Sequence, residues 1–151
     1  MNTVFEWRNS SYLISTDKKK LDHEAIHQYL TRSTWAAGID MNTVAVSIDN
    51  SLTFGVYHDE LQIGFARLIT DYATFAYLCD VYLLEEYQGK GLSRWLMTSI
   101  HDHPVFRKLR RILLCTTTAP WLYEKFGYEP LNRENFIWTI TRPDIYARHT
   151  R

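Results

Sequence analysis

Gln88-Gly89-Lys90-Gly91-Leu92-Ser93 is the most informative segment of this 151-residue sequence. An apolar run at residues 74–84 precedes it and predicts a strand. The residues that follow share one helical face, at the spacing of Leu92, Trp95, Leu96, Ser99 and Ile100. Glycines between a strand and a helix let backbone N–H groups approach a ligand, and the helix N-terminus favours negative charge. The segment therefore predicts an anion-binding loop that suits a pyrophosphate.

The two glycines do not fit the phosphate loops of ATP or dinucleotide sites. Gly91 stands where a Walker loop needs Ser or Thr after Gly89-Lys90, and no glycine precedes Gly89 at the required distance. The segment does not match G-x-G-x-x-G either. ATP and NAD are therefore disfavoured as ligands.

Upstream of the glycine segment, the pattern predicts two helices and a three-stranded antiparallel meander. Asp22 is placed to cap a first helix that reaches Leu30, and a second helix covers Met41–Asp49. Strand-like runs follow at residues 52–57, 61–70 and 74–84, with a polar hairpin turn at residues 58–60 between the first two.

Downstream, residues 112–115 predict a strand covered on both faces, and residues 119–126 predict a helix ended by Gly127. A last strand is expected at residues 136–141. The whole chain, residues 1–151, is therefore predicted to be one α+β domain with helices on both faces of its sheet. The sheet is expected to be mostly antiparallel and to change to parallel pairing near the glycines, where ligands tend to bind.

Composition excludes several classes of protein. Seventeen Lys and Arg balance seventeen Asp and Glu, so no basic excess is available for nucleic-acid phosphates. The apolar runs are too short to span a membrane, and residues 1–8 do not show the apolar region that is typical of a secretory signal. A cytoplasmic protein is expected, with no nucleic-acid or membrane partner and with Cys79 and Cys115 as reduced, buried thiols.

Two segments in the expected order resemble the GCN5-related N-acetyltransferase (GNAT) family. Residues 88–93 resemble its coenzyme A pyrophosphate motif, which is Gln or Arg, two residues, Gly, one residue, and Gly or Ala; Ser93 departs from the last position. Residues 119–128, A-P-W-L-Y-E-K-F-G-Y, resemble its later A-x-x-L-Y-E-K-x-G-F segment. The resemblance extends over residues 54–130 and implies the GNAT fold.

The resemblance implies an acyl-CoA-dependent N-acyltransferase that uses acetyl-CoA as co-substrate, needs no metal, and acetylates a small-molecule or peptide amine by direct attack. The implied pyrophosphate site is Gln88, Gly89, Lys90, Gly91, Leu92 and Ser93, and the backbone of Val81, Tyr82 and Leu83 is implied to pair with the pantetheine arm.

Tyr123 is implied to be the acid that protonates the leaving thiolate, although its helical position suits core packing too. Asp80, Asp71, Tyr77 and water are all open as the base. The oligomeric state, monomer or homodimer, is open as well.

Two alternatives lie outside this activity. The first is a coenzyme-A-binding or sensor module with the same fold and no turnover. The second is a zinc metallopeptidase, because residues 23–27 match H-E-x-x-H. Leu30 stands where the metzincin continuation requires glycine, so a solvated helix face explains His23 and His27 better.

Three further positions carry open or minor hypotheses. His101-Asp102-His103 resembles a ligand pair, but a histidine near a helix C-terminus is favourable through the helix dipole alone. Cys115 is expected to be inert packing rather than an acyl carrier. Trp35 is a candidate for the wall of an acceptor pocket or, equally, for the core.

Overall fold

A six-stranded sheet forms the centre of the computed structural model, which describes residues 3–147. The strands lie side by side in sequence order as β1 (Glu6–Asn9), β2 (Tyr12–Ser15), β3 (Leu52–His58), β4 (Leu61–Thr70), β5 (Phe75–Leu83) and β6 (Arg111–Leu114). Pairing is antiparallel from β1 to β5 and parallel between β5 and β6. The predicted change of pairing is confirmed.

Four α-helices cover the two faces of the sheet: α1 (His23–Thr31), α2 (Met41–Asp49), α3 (Leu92–Asp102) and α4 (Pro120–Glu124). The Asp22 side chain accepts a hydrogen bond from the backbone N–H of Ala25, which is the predicted N-cap of α1. Asp40 caps α2 in the same way through Thr43. No helix within residues 3–147 is long and apolar enough to cross a bilayer.

Each face of the sheet has its own hydrophobic core. On one face, residues of α1 and α2 such as Ile26, Leu30 and Ile48 pack on Phe65 and Tyr82. On the other face, the sheet packs with α3 and α4 in a second core, which we call the α3 core. Its members include Phe54, Leu78, Leu83, Leu96, Met97, Ile100 and Leu122. The prediction of helices on both faces is therefore confirmed.

The N-terminal hairpin of β1 and β2 was not predicted. Each strand has only four residues, and three of the four in β1 are exposed. β1 is polar, and β2, Tyr-Leu-Ile-Ser, is too short to show the alternating pattern by which a half-buried strand is identified. β2 pairs with β3 and β1 with β2, and the pairing with β3 across about 40 positions is not encoded by any local pattern.

The prediction of a strand at residues 136–141 is wrong. These residues are irregular, and within the described part of the chain no strand pairs with the outer edge of β6. Asn135 has a positive φ of 56°, and its carbonyl accepts a hydrogen bond from Trp138 Nε1 at 2.7 Å. This local turn and the lack of burial explain why apolar residues such as Ile140, 83% exposed, do not form a strand.

The cysteines are free, as expected, but the prediction that Cys115 is buried is wrong. β6 ends at Leu114, one residue earlier than predicted, so Cys115 lies in the loop beyond the strand and is exposed. Cys79 in β5 is half-buried, and burial raises the pKa of its thiol to about 12. That thiol is therefore protonated at neutral pH.

Candidate active site

β5 and β6 are paired over only the first part of β5. The parallel register runs from Phe75 opposite Arg111 to Leu78 opposite Leu114, where β6 ends. β5 continues to Leu83, and on this side residues 79–83 have no strand partner within residues 3–147. Their backbone groups therefore line a gap in which an extended ligand with amide groups can add as a further strand.

The glycine loop begins directly after this unpaired edge. A 3-10 turn over Glu85–Tyr87 is followed by Gly89 and Gly91, whose φ angles are +78° and +81°. A side chain is strained at such angles, which explains the two glycines. Gln88 Nε2 donates to the carbonyl of Leu83 at 3.0 Å and so ties the loop to the end of β5.

Gly91 is the N-cap of α3 and has no side chain to satisfy the first N–H groups of the helix. A Cβ atom at Gly89 or Gly91 would meet no protein atom within 4 Å, so the space outside the loop is open. Lys90 is exposed beside it, and Ser93, small and half-buried, lies in the first turn of α3. The loop therefore offers main-chain donors and one cation to an anion.

The predicted pantetheine edge has one half-buried and two buried residues. Val81 is half-buried against the α3 core, to which Leu83 belongs. Tyr82 points to the opposite face, where its ring stacks on Tyr29 of α1 with 3.7 Å between the ring centres. Burial raises the pKa of the Tyr82 phenol. The edge is thus held from both faces, which keeps its backbone groups fixed.

Tyr123 lies in α4, beyond the end of β6, and is half-buried at the margin of the α3 core. Its ring makes an edge-to-face contact with Tyr128 at 6.0 Å between centres. Burial raises the pKa of its phenol, so the hydroxyl carries its proton at neutral pH. The residue is therefore in the correct protonation state for an acid, and its ring is also part of the packing.

Asp80 lies at an irregularity between β4 and β5. The register of the two strands shifts between Phe65 and Arg67, and Asp80 has a positive φ of 53°. Its Oδ2 accepts from Arg67 Nε at 2.8 Å, and its Oδ1 accepts from Trp35 Nε1 at 2.8 Å. Arg67 was not predicted as a site residue, although an arginine inside the apolar run of β4 was a signal for a buried partner.

The other two candidate bases have different surroundings. Asp71 lies in the turn between β4 and β5, about 20 Å along the strand from Val81 at ~3.3 Å per residue. Its carboxylate accepts hydrogen bonds from Thr74, Ala73 and Phe75, which lower its pKa. Tyr77 lies where β5 is still paired with β6; burial and a hydrogen bond with Cys115 raise its pKa to about 12.

The histidines of the H-E-x-x-H segment lie in the first turns of α1, and His27 Nε2 is 2.9 Å from the carbonyl oxygen of Ile39. His101 Nε2 is 2.9 Å from the Tyr128 hydroxyl, and His103 Nδ1 accepts from the Val105 N–H. In the portion of the chain with described coordinates, no group of three or more His, Cys, Asp or Glu residues is placed to hold a metal ion.

Comparison with known proteins agrees with this arrangement. A family model for the acetyltransferase (GNAT) domain matches residues 49–130. A protein of Gibberella zeae described as a candidate acetyltransferase is 31% identical, and the match covers 79% of each chain. The matched residues include the whole of the glycine loop and of α4.

Solved structures share the fold. The crystal structure of a candidate acetyltransferase of the GNAT family from Xanthomonas campestris has a TM-score of 0.87 and 40% identity, covering 90% of this chain and 96% of that one. A candidate acetyltransferase from Clostridium acetobutylicum, solved with acetyl-CoA, has a TM-score of 0.58 at 13% identity, covering 87% and 94% of the two chains. Because the family model spans more than half of the sequence, this chain belongs to the GNAT acetyltransferase family.

Proposed function

We propose that this protein transfers the acetyl group of acetyl-CoA to the amino group of a small molecule or of an exposed peptide amine. The separation of β5 from β6 beyond Leu78, directly before the glycine loop, supports this most strongly. An unpaired backbone edge is thereby next to the glycine loop, an arrangement that suits an acyl thioester on a phosphorylated arm.

The residues present fit acetyl-CoA. The pantetheine arm carries amide groups that can pair with the backbone of residues 81–83, while the pyrophosphate can accept from the main chain of residues 88–93. Gly89 and Gly91 leave the outer side of the loop free of side-chain atoms. Lys90 adds a positive charge next to the phosphates.

In the proposed reaction, the acceptor nitrogen attacks the thioester carbonyl carbon, the new C–N bond forms, and the C–S bond breaks. A backbone N–H of the β5 edge stabilises the negative charge that develops on the carbonyl oxygen. Tyr123 donates its proton to the leaving sulfur, a role that its raised pKa permits. The proton released by the amine passes to water.

The test is a release assay for free coenzyme A thiol with acetyl-CoA and a panel of amines. We expect thiol release that depends on both the protein and the amine, with the acetylated amine as the second product. Binding of acetyl-CoA without turnover for any amine would instead support the coenzyme-A-binding module. Absence of both binding and turnover would refute the proposal.

A further inference from the structure

Trp35 is an exposed tryptophan that is nevertheless held in place. Its side chain is 53% exposed, yet its indole Nε1 donates to Asp80 Oδ1 at 2.8 Å across 45 positions of sequence. The bond links the connection between α1 and α2 to β5. A large apolar ring that is open to solvent and fixed by a long-range hydrogen bond has the properties of a recognition surface.

The group that holds Trp35 is itself fixed on its other side. Asp80 Oδ2 forms an ion pair with Arg67 Nε at 2.8 Å, and the two side chains are only 9% and 16% exposed. Arg67 also donates through Nη1 to Ser51 Oγ at 3.1 Å. Ser51, Arg67, Asp80 and Trp35 thus form one chain of hydrogen bonds, which we call the Arg67 network, drawn from four separate parts of the sequence.

The Arg67 network ends beside the proposed reaction centre. Asp80 lies in the unpaired edge of residues 79–83, directly before Val81, so one hydrogen bond joins the indole of Trp35 to the strand segment that lines the gap. Tyr82, two residues after Asp80, is buried on the face of the sheet that α1 and α2 cover, where it stacks on Tyr29.

Both carboxylate oxygens of Asp80 are engaged, one by a cation and one by an indole. If Asp80 took a proton from the acceptor amine, its carboxylate would lose the negative charge that pairs with the buried Arg67. Leaving that cation without its partner is unfavourable. The same ion pair neutralises Asp80 locally, so the group that holds Trp35 adds no net charge beside its ring.

We propose that Trp35 is the acceptor-binding surface and that Asp80 is a positioning residue which holds it, with no part in deprotonating the amine. The expected acceptors are primary amines that carry an aromatic or other flat apolar body, because stacking on the indole face favours such groups. This inference rests on the proposed function and names the acceptor class of the same site.

The experiment compares phenethylamine, a primary amine with one aromatic ring, with butylamine, which has no ring, in the thiol-release assay. For the wild-type protein we expect kcat/KM to be at least about ten-fold higher for phenethylamine, since ring stacking adds binding that butylamine lacks. Trp35→Phe keeps a ring but loses the Nε1 donor, and should lower this kcat/KM about three- to ten-fold. Trp35→Ala should abolish the preference between the two amines.

Asp80→Asn separates positioning from base catalysis. If Asp80 is a positioning residue, Asp80→Asn should raise the KM for phenethylamine more than it lowers kcat. The fall in rate at acidic pH, which is the acidic limb of the pH–rate profile, should remain. The KM for acetyl-CoA should be unchanged in all three variants. Trp138→Phe is the matched control, because Trp138 is also exposed but donates only to the nearby Asn135 carbonyl.

Any one of three kinetic results would overturn the inference. They are equal kcat/KM for both amines in the wild type, an equal loss for both in Trp35→Ala, and a loss of kcat of about 100-fold together with the acidic limb in Asp80→Asn. A change of mass in solution on Trp35→Ala, measured by light scattering, would assign Trp35 to a subunit contact instead.

If the wild type turned over no amine, the proposed function would fail while this inference would still be judged by binding. Quenching of tryptophan fluorescence by phenethylamine in the presence of coenzyme A, lost in Trp35→Phe and kept in Trp138→Phe, would support it. Equal quenching in both variants would refute it. Circular dichroism spectra establish that each variant is folded.

Discussion

The two sides of the gap beside β5 are built in different ways. On the proposed cofactor side, the glycine loop presents main-chain N–H groups from consecutive residues, and its shape depends on two positive φ angles. On the proposed acceptor side, the Arg67 network presents side chains from four separate parts of the sequence. A main-chain site tolerates changes of most neighbouring side chains, whereas a side-chain site fails when one member is removed.

This difference predicts that single substitutions in the Arg67 network lower the stability of the protein more than single substitutions in the glycine loop do. Arg67→Met leaves the Asp80 carboxylate buried without its cation, and the free energy of unfolding should fall by about 3 kcal/mol. Urea denaturation followed by circular dichroism measures this fall. The double variant Arg67→Met/Asp80→Asn removes both charges and keeps a residue that tolerates the positive φ at position 80, so it should recover much of the loss. No recovery would mean that Arg67 acts through packing.

Tyr123→Phe tests the proposed acid. The variant keeps the ring packed at the margin of the α3 core but removes the proton donor, so kcat should fall by about 100-fold, since water can supply part of the proton. Affinity for acetyl-CoA, measured by titration calorimetry, should change little. If kcat stays the same with an acceptor for which chemistry limits the rate, Tyr123 is only a core residue.

Gly91→Val tests the main-chain side directly. A β-branched residue is strained at a φ of +81° and projects into the space where phosphates are proposed to lie, so the Kd of acetyl-CoA should rise by about ten-fold or more. Gly127→Val is the matched control, because Gly127 has a φ of +91° and equally open space but lies after α4. Similar losses of affinity in both variants would mean that the effect comes from backbone strain in general and not from a side chain in the proposed phosphate site.

The smallest effect is expected at the two histidines of α1, which belong to neither side of the gap. Replacing His23 and His27 together by Gln keeps their size and helix propensity, and kcat/KM should stay within about two-fold of the wild type. Elemental analysis of the purified protein gives the independent measurement. Stoichiometric zinc, with activity abolished by a chelator, would revive the peptidase hypothesis.

The same difference explains what the sequence could predict. The glycine loop was predictable because its strand, turn and helix are consecutive, and each has a local pattern. Asp22 as the cap of α1 was predictable for the same reason. The Arg67 network was not, since hydrogen bonds across 13, 16 and 45 positions leave no periodic signal. The strand predicted at residues 136–141 does not form because an apolar pattern alone does not supply a partner strand.

The register between β4 and β5 explains why Asp80 stands outside the regular alternation of side chains along β5. Leu83 and Tyr82 pair with Gly64 and Phe65, but Cys79 already pairs with Arg67, so β5 has one residue more than β4 needs. Omitting Asp80 from the alternation leaves every other side chain on its observed face, with Ala76, Leu78 and Leu83 in one core and Tyr82 in the other. Asp80 therefore has the geometry of a single-residue insertion into a complete strand. Its positive φ is the local strain of that insertion, and deleting it should shorten the strand without exchanging its two faces.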